Sequence, residues 1–580
     1  MYYPYPEFAM LHGIYIPPND ENGYSDAIVA ACKHIKTGEK KLHIVRDPKF
    51  EYWITKPQFR HQNIRLEREE LSKLDMRICK YKELWDSVAL GLGFKFTPRN
   101  PRVLKEDPHV YGIDVGPLIR MKIEYSQNVD GAVPKLDIGM LDIETSVLDD
   151  QFQNEILCAS YTDWSTRTTY EFINDPWCHV TDEEMQTRVE KEQAVFVEGL
   201  NDKARAVWDE KPHQFVYVHC PTERDLIIKL IRKVIMMKPD LCGIWNIAYD
   251  IPYIEKRALF NQIPTNELFC HPDVPKDLRI FRWKEDTKPV DHFTDVWHQV
   301  VAPGYTRWYD PMCLYSRLRK VQGRENFYTL DFIGQKIVGS GKVKFGSNAS
   351  HAEMQLHDQV GYCAYNCFDT ILPCIIDAVA QDTSSMMVLV GISELADYSK
   401  QTVMLKNEWF NYCRTKINSI AGSILAPCSM KQNWDKFIGN VGGAVLSPNL
   451  LEVKGTRHLK EANIETSVCM LVNDIDATSL YPSIQMSTNL SRESRYASVL
   501  WVEGAPYTLE QLAQMDEAVQ NEEDPAIRRK LSNQLKEAAL ANSDYMESLF
   551  GAYFTVRENA VQVCHDYFGL PNFQEILSYI

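Results

Sequence analysis

At 580 residues the chain is too long for one core, since domains average ~150 residues. An apolar fraction of 45% and a charged fraction of 24% exclude wholesale disorder and fibrous classes. With 79 acidic against 63 basic side chains, the formal net charge is −16. That balance disfavours a surface that grips nucleic acid everywhere, but not a local basic groove or one borrowed from a partner.

Residues 1–135 read as an N-terminal mixed domain, with short alternating stretches at Lys41–Val45 and Glu51–Ile54 and a polar helical piece around Leu66–Lys82. From Lys135 the texture changes, and Lys135–Thr145 alternates apolar and polar like a strand. Ile156–Thr162 and Thr168–Ile173 read as its sheet neighbours. Thr222 caps a predicted helix with Leu226, Leu230, Ile231 and Val234 at helical spacing, ended by Pro239, and a strand follows at Leu241–Trp245. Helical patterning returns over Glu353–Asp382 and most of 390–430. Gly442-Gly443 marks a turn, Val468–Ile475 reads as a strand, 509–541 as a polar acidic helical region, and 550–580 as a strand pair followed by a helix start.

No apolar run reaches the ~18 residues that span a bilayer; Ile227–Met237 is interrupted by Lys229, Arg232 and Lys233. The N-terminus has no basic segment followed by an apolar stretch, so no secretory signal is expected. Fifteen scattered cysteines suit a reducing cytoplasm. The closest pair, Cys363 and Cys367, reads as core thiols because no second pair stands at zinc-site spacing.

Asp142 and Glu144 stand two apart at a strand end, so both side chains leave one face. Two hard oxygen anions there suit Mg²⁺, although taken alone the pattern reads more simply as a solvated edge. Gly243–Asp250 puts Asn246 and Asp250 just after a strand, and Tyr365 and Asp369 share one face of a helix. Each of these, taken singly, is equally a strand-end turn or a helix with a core tyrosine.

Together and in this order the three blocks resemble the exonuclease motifs of proofreading DNA polymerases of the tyrosine-bearing DEDD type. The resemblance implies Asp142, Glu144, Asp250 and Asp369 as ligands of two Mg²⁺ ions, with Tyr365 orienting the attacking water. Two metals ~3.5–4 Å apart would activate hydroxide and stabilise the leaving oxygen. Asp474–Ser483 (DIDATSLYPS) is similar to the first palm motif of B-family DNA polymerases. Carried across, Asp476 ligates both synthetic Mg²⁺ ions, the backbone of Ser479 and Leu480 holds the nucleotide's phosphates, and Tyr481 lies beneath its sugar. Gly442 and Gly443 resemble the turn that contacts DNA between exonuclease and palm. Stretches at Tyr309-Asp310, Leu330-Asp331 and Val338–Lys342 are similar to the T-even-type phage enzymes.

Two look-alikes are set aside. Gly334–Val343 evokes a phosphate-binding loop, but Lys342 is followed by Val343 rather than Ser or Thr. Asn542–Tyr545 echoes a fingers motif whose lysine position is Ala538. No Asp-Thr-Asp-Ser segment follows Asp476, and one carboxylate cannot hold two metals.

The expected fold class is therefore α/β and α+β multidomain. It comprises the N-terminal domain (1–135), an RNase H-like 3′–5′ exonuclease (136–388), a connection carrying the Gly-Gly turn (389–465), and a partial B-family palm (466–580). The expected function is the N-terminal subunit of a split, phage-like replicative polymerase, working in the cytoplasm, that of an infected bacterial host if phage-encoded. Its expected partners are DNA primer-template, dNTP and a C-terminal chain bringing fingers, remaining palm and thumb, with a sliding clamp reached through that chain and no membrane. Alternatives are a stand-alone exonuclease with a vestigial palm, a non-catalytic replisome scaffold, and a truncated full-length polymerase. Arg279, Arg282, Lys284, Arg317, Arg319, Lys320 and Arg324, interleaved with Trp283, Trp308, Tyr309 and Phe327, are candidates for guiding a single strand.

Overall fold

The computed structural model describes residues 2–389 apart from 21, 61–67, 98–101, 106, 130–131, 133, 288–289, 291, 321–322 and 344–349; it then describes 401–422 and, beyond them, short segments between 457 and 554. Asp476, Ser479, Leu480, Tyr481, Gly442 and Gly443 lie outside the described residues, as does most of the predicted strand at Val468–Ile475. The chain divides into two compact units, Met1–Ala426 and Pro427–Ile580.

In the first unit β1 (Phe8–Ile16), β2 (Ala27–His34) and β3 (Lys40–Arg46) form an antiparallel meander. The next sheet has β4 (Lys49–Thr55) between β6 (Leu74–Lys80) and β7 (Val110–Tyr111), while the short β5 (Arg68–Glu70) lies outside it. The helix expected over Leu66–Lys82 is therefore corrected, among its described residues, to the strands β5 and β6 with single 3-10 turns at Leu71–Lys73 and from Tyr81. Leu74, Met76 and Ile78 alternate with charged residues at period two, and β6 pairs antiparallel with β4 in the register Tyr52↔Arg77. The high charge of that stretch belongs to an edge strand, where Met76 and Ile78 also face solvent. Helices α1 (Leu84–Leu92), α2 (Arg102–Lys105) and α3 (Pro117–Asn128) follow, α3 opening with proline at its first turn.

A six-stranded mixed sheet dominates the rest of the unit. Its strands are β8 (Ile138–Thr145), β9 (Ile156–Asp163), β10 (Thr168–Asn174), β11 (Gln214–Cys220), β12 (Leu241–Gly243) and, past a small hairpin of β13 (Arg282–Lys284) and β14 (Gln299–Val301), β15 (Arg307–Tyr309). The order is β11-β10-β9-β8-β12-β15. β8–β9 and β9–β10 pair antiparallel, while β10–β11, β8–β12 and β12–β15 pair parallel. The chain is thus a mixed α/β protein.

Helices cover both faces of this sheet, as its two-sided burial requires. The helices of this region are α4 (Asp182–Glu198), α5 (Asp202–Asp209), α6 (Glu223–Met237), α7 (Ile247–Phe260), α8 (Thr265–Phe269), α9 (Pro311–Leu318), α10 (Leu330–Val338), α11 (His351–His357), α12 (Gln359–Ala380) and α13 (Asp382–Leu389); α14 (Gln401–Lys416) packs instead on the N-terminal core, with Phe410 and Cys413 beside Trp53 and Tyr111. One core joins α4, α5, α10 and α12 to the sheet; the other buries the apolar stripe of α6, with Leu226, Leu230, Ile231 and Val234, together with Ile247, Ile251 and Ile254 of α7. Thr222 accepts the Asp225 N–H at the start of α6, and Lys238 ends it in the left-handed region. A buried ion pair ties the second layer together. Both Glu223 oxygens meet Arg257 of α7, Asn261 Nδ2 donates to Oε2 (2.7 Å), and the Ile156 N–H of β9 donates to Oε1 (2.9 Å).

The single helical stretch expected over Glu353–Asp382 is instead two helices broken at Asp358, whose carboxylate caps the Gly361 N–H and pairs with Arg188. The helix expected through 390–430 ends at Lys416, and β16 (Ser419–Ala421) then pairs with β5. Among the described residues α12 is long and apolar enough to cross a membrane by length and composition, and it is mostly buried inside the protein. In the second unit Ala497–Leu500 pairs with Gly551–Phe554, Arg457–His458 pairs with Ser467–Val468, and a helix spans Leu509–Asn521.

Candidate active site and metal centre

β8 lies in the middle of the sheet, and its period-two geometry turns Asp142 and Glu144 to the face covered by α12. In the ladder with β9, Asp142 stands opposite Ser160 and Glu144 opposite Cys158. Along α12 the residues Tyr362, Tyr365, Asn366 and Asp369 recur at helical spacing and form a polar stripe on an otherwise apolar core helix. Carboxylate oxygens of Asp142, Glu144 and Asp369 come within 4.8 Å of one another, a group able to hold a metal ion.

Each acid is held by a different element. Asn366 Nδ2 donates to Asp142 Oδ2 (2.7 Å), and the Tyr362 hydroxyl donates to Glu144 Oε2 (2.5 Å). Gln355, fully buried, anchors the end of β8: its Nε2 donates to the Thr145 carbonyl (2.9 Å) and its Oε1 accepts the Val147 N–H (3.0 Å). His351 Nδ1 lies 2.8 Å from the Tyr362 hydroxyl. Asp250, 3% exposed, accepts the Ile143 N–H of β8 at 3.3 Å. It stands beside Asp142 rather than within the three-carboxylate group.

Asn246 is exposed, adopts the left-handed conformation at the start of α7, and takes part through its backbone: its N–H and that of Ile247 donate to Asp310. Asp310 also caps α9, and burial raises its carboxyl to about 6 against the pull of four backbone N–H groups. Asp310 thus fixes the turn that delivers Asp250.

Lys342 supplies the cation that motif reading assigned no role at this site. Its ammonium donates to Asp369 Oδ2 (2.5 Å) and to the Tyr365 hydroxyl (2.7 Å). Burial opposes its charge, but Asp369, Asp142 and Glu144 raise its pKa overall. The loop reaches the site because Gly341 packs directly on Asp331, whose Oδ1 accepts the Lys342 N–H (2.9 Å); a Cβ at 341 would collide with that carboxylate. The lysine of the look-alike stretch Gly334–Val343 lies in the site. Tyr362 and Asn366 were legible as the remaining polar members of the α12 stripe. Lys342 carried no local signal.

The electrostatics are those of an acidic cluster short of positive charge. Burial pushes Asp142 well above the usual carboxylate range, and Asp369 and Glu144 push it further. Glu144 rises to about 8 through burial and the repulsion of Asp369, against the Tyr362 hydrogen bond. Asp250 is raised by burial and by Asp142, and Asp369 by burial against Lys342. Asp369 Oδ1 is buried with no hydrogen-bond partner. One lysine cannot neutralise four acids; hard divalent cations ligated by oxygen would.

The basic clusters look different from their sequence reading. Arg279 pairs with Glu267, Arg319 with Asp382 (2.8 Å), and Lys320 and Arg324 with Asp295 (3.2 and 2.9 Å). Trp308 and Tyr309 are core residues, 3% and 2% exposed, so they cannot stack a base; Phe327 is exposed and Trp283 stacks on His298. Set against models of known protein families and against curated proteins, the chain matches none.

Proposed function

We propose that the chain is a Mg²⁺-dependent 3′–5′ exonuclease joined to the first part of a B-family polymerase palm, the N-terminal component of a split replicative polymerase. The observation that carries the nuclease reading is the convergence of Asp142, Glu144 and Asp369 within 4.8 Å, with Asp250 and Tyr365 beside them. Within the six-stranded sheet, the antiparallel run β10-β9-β8 continued by the parallel β12 and β15, with two of the acids on β8, also agrees with an RNase H-like fold.

The residues suit the metal: all donors are carboxylate oxygens, one of them buried and unpartnered, and two Mg²⁺ would offset the charge that burial makes costly. When bound, the metals supply a hydroxide nucleophile and leaving-group stabilisation. Asp142, Glu144, Asp250 and Asp369 would hold them. Tyr365, whose phenol stays protonated because burial and Asp369 raise its pKa, orients water without competing as a ligand. Lys342 steadies Asp369 and places a positive charge where the cleaved phosphate carries negative charge.

The polymerase part rests on the Asp476–Ser483 motif, which lies outside the described residues. Synthesis needs carboxylates besides Asp476, which the proposed partner would bring with fingers and thumb. The test is a 5′-labelled primer-template given to the chain alone and with that partner. Mg²⁺-dependent shortening from the 3′ end is expected from the chain alone, and extension only from the pair, lost in Asp476→Ala. Extension by the pair at unchanged speed in Asp476→Ala would defeat the palm assignment; an absence of shortening would defeat the nuclease.

A further inference from the structure

Beneath the acidic site, on the same sheet face, lies a second cluster of a different chemical kind. Cys158 of β9, Glu171 of β10 and Cys363 of α12 bring two thiol sulfurs and a carboxylate oxygen within 4.8 Å of one another, all fully buried. Cys367, one helical turn after Cys363 and also fully buried, reaches Glu171 Oε2 at 3.4 Å. Glu171 is 0% exposed, and its Oε1 has no hydrogen-bond partner. After burial itself, the groups that act most on this carboxyl are Cys367, Cys158, Ser160 and Glu144, none of them cationic.

Burial keeps this carboxyl protonated when nothing positive is near, and only a cation would let it ionise there. The surroundings offer sulfur rather than nitrogen. Mg²⁺ is a poor fit, because it takes hard oxygen ligands and keeps water. A cation that accepts thiolate and carboxylate together, in a closed tetrahedral site, is Zn²⁺. Zinc ligands at ~2.0–2.3 Å from the metal in a tetrahedron stand about 3.3–3.8 Å apart, a contraction of the Cys158, Glu171 and Cys363 group.

We propose that Cys158, Cys363, Glu171 and Cys367 form a structural zinc site, separate from the acidic centre and independent of the nuclease reading. Binding is ligand exchange without redox change: the three thiols and the Glu171 carboxyl, which burial keeps protonated in the metal-free protein, each release a proton to solvent as they bond the metal. The consequence is mechanical. Cys158 stands opposite Glu144 in the ladder, and Cys363 precedes Tyr365 by two residues. One zinc would therefore pin α12 to β9 and β10 directly under the strand and helix that carry the acids. The sequence hid this site because its ligands come from three elements with no paired spacing.

The test is the metal content of the full chain, made in zinc-supplemented medium, dialysed against EDTA and measured by mass spectrometry. We expect about one zinc per chain, retained in Asp142→Ala and lost in Glu171→Gln and Cys363→Ser. Cobalt reconstitution should give a sulfur-to-metal charge-transfer band that Glu171→Gln alters. A folded wild-type chain holding less than about 0.1 zinc would overturn the proposal, as would an intact mass showing a disulfide in the cluster. So would zinc that survives Glu171→Gln and Cys363→Ser but disappears in Asp142→Ala. Should Cys363→Ser fail to fold, the wild-type stoichiometry and Glu171→Gln decide.

Discussion

Removing divalent metal should make the protein lose stability as pH rises, opposite to the usual behaviour of ion-paired acids. Glu144 has a folded-state pKa raised from 4.5 to about 8. An acid of that kind holds its proton longer folded than unfolded, so its contribution is fully present below pH ~4.5 and lost as pH climbs towards 8. At ~1.4 kcal/mol per unit, the loss is on the order of 5 kcal/mol. With an unfolding entropy of about 2.1 cal/mol/K per residue over Met1–Ala426, this is a fall of ~5 °C in Tm. The assay is calorimetry in EDTA from pH 4.5 to 8.5, wild type against Glu144→Gln, which keeps the acceptor for Tyr362 and removes the charge. Wild type should match the variant near pH 4.5 and fall behind it across that window. Millimolar Mg²⁺ should restore wild type at pH 8 with little effect at pH 4.5 and little on the variant. A wild-type minus variant difference that is flat with pH, or a Mg²⁺ shift equal at both ends, would refute the reasoning.

Three further outcomes follow from named contacts. Lys342→Met strips Asp369 of its cation, and should slow single-strand hydrolysis about 100-fold in a gel assay while KM changes little. Gly341→Ala forces the loop off Asp331 and should cost about 10-fold in rate, with the free energy of urea unfolding lowered by no more than about 1 kcal/mol. Arg257→Met leaves Glu223 buried and unpaired between α6, α7 and β9; urea unfolding should register about 3–5 kcal/mol, and hydrolysis in the cold should remain.

Much of the site was legible because its signals are local. The alternation of β8 fixes the common face of Asp142 and Glu144, and the four-residue step in α12 fixes that of Tyr365 and Asp369. Local signals also misled. Leu66–Lys82 looked helical because charge masks alternation on an edge strand, and α11 runs into α12 without a visible break because Asp358 caps the second helix from the end of the first. What stayed hidden is long-range. Lys342 reaches Asp369 from a loop 27 residues upstream, and Cys158 and Glu171 meet Cys363 only after the sheet folds against α12. The basic side chains were visible, but not the acids that neutralise Arg319, Lys320 and Arg324.

Direct contact between metal and cleaved phosphate is what the account most depends on. The measurement is hydrolysis of an oligonucleotide whose 3′-terminal phosphodiester carries sulfur in place of one non-bridging oxygen. With Mg²⁺, sulfur should slow removal of the last nucleotide by at least about 30-fold, and the softer Mn²⁺ should restore the rate, in wild type but not in Glu144→Ala. Equal rates for the oxygen and sulfur substrates in Mg²⁺, or rescue undiminished in Glu144→Ala, would contradict it.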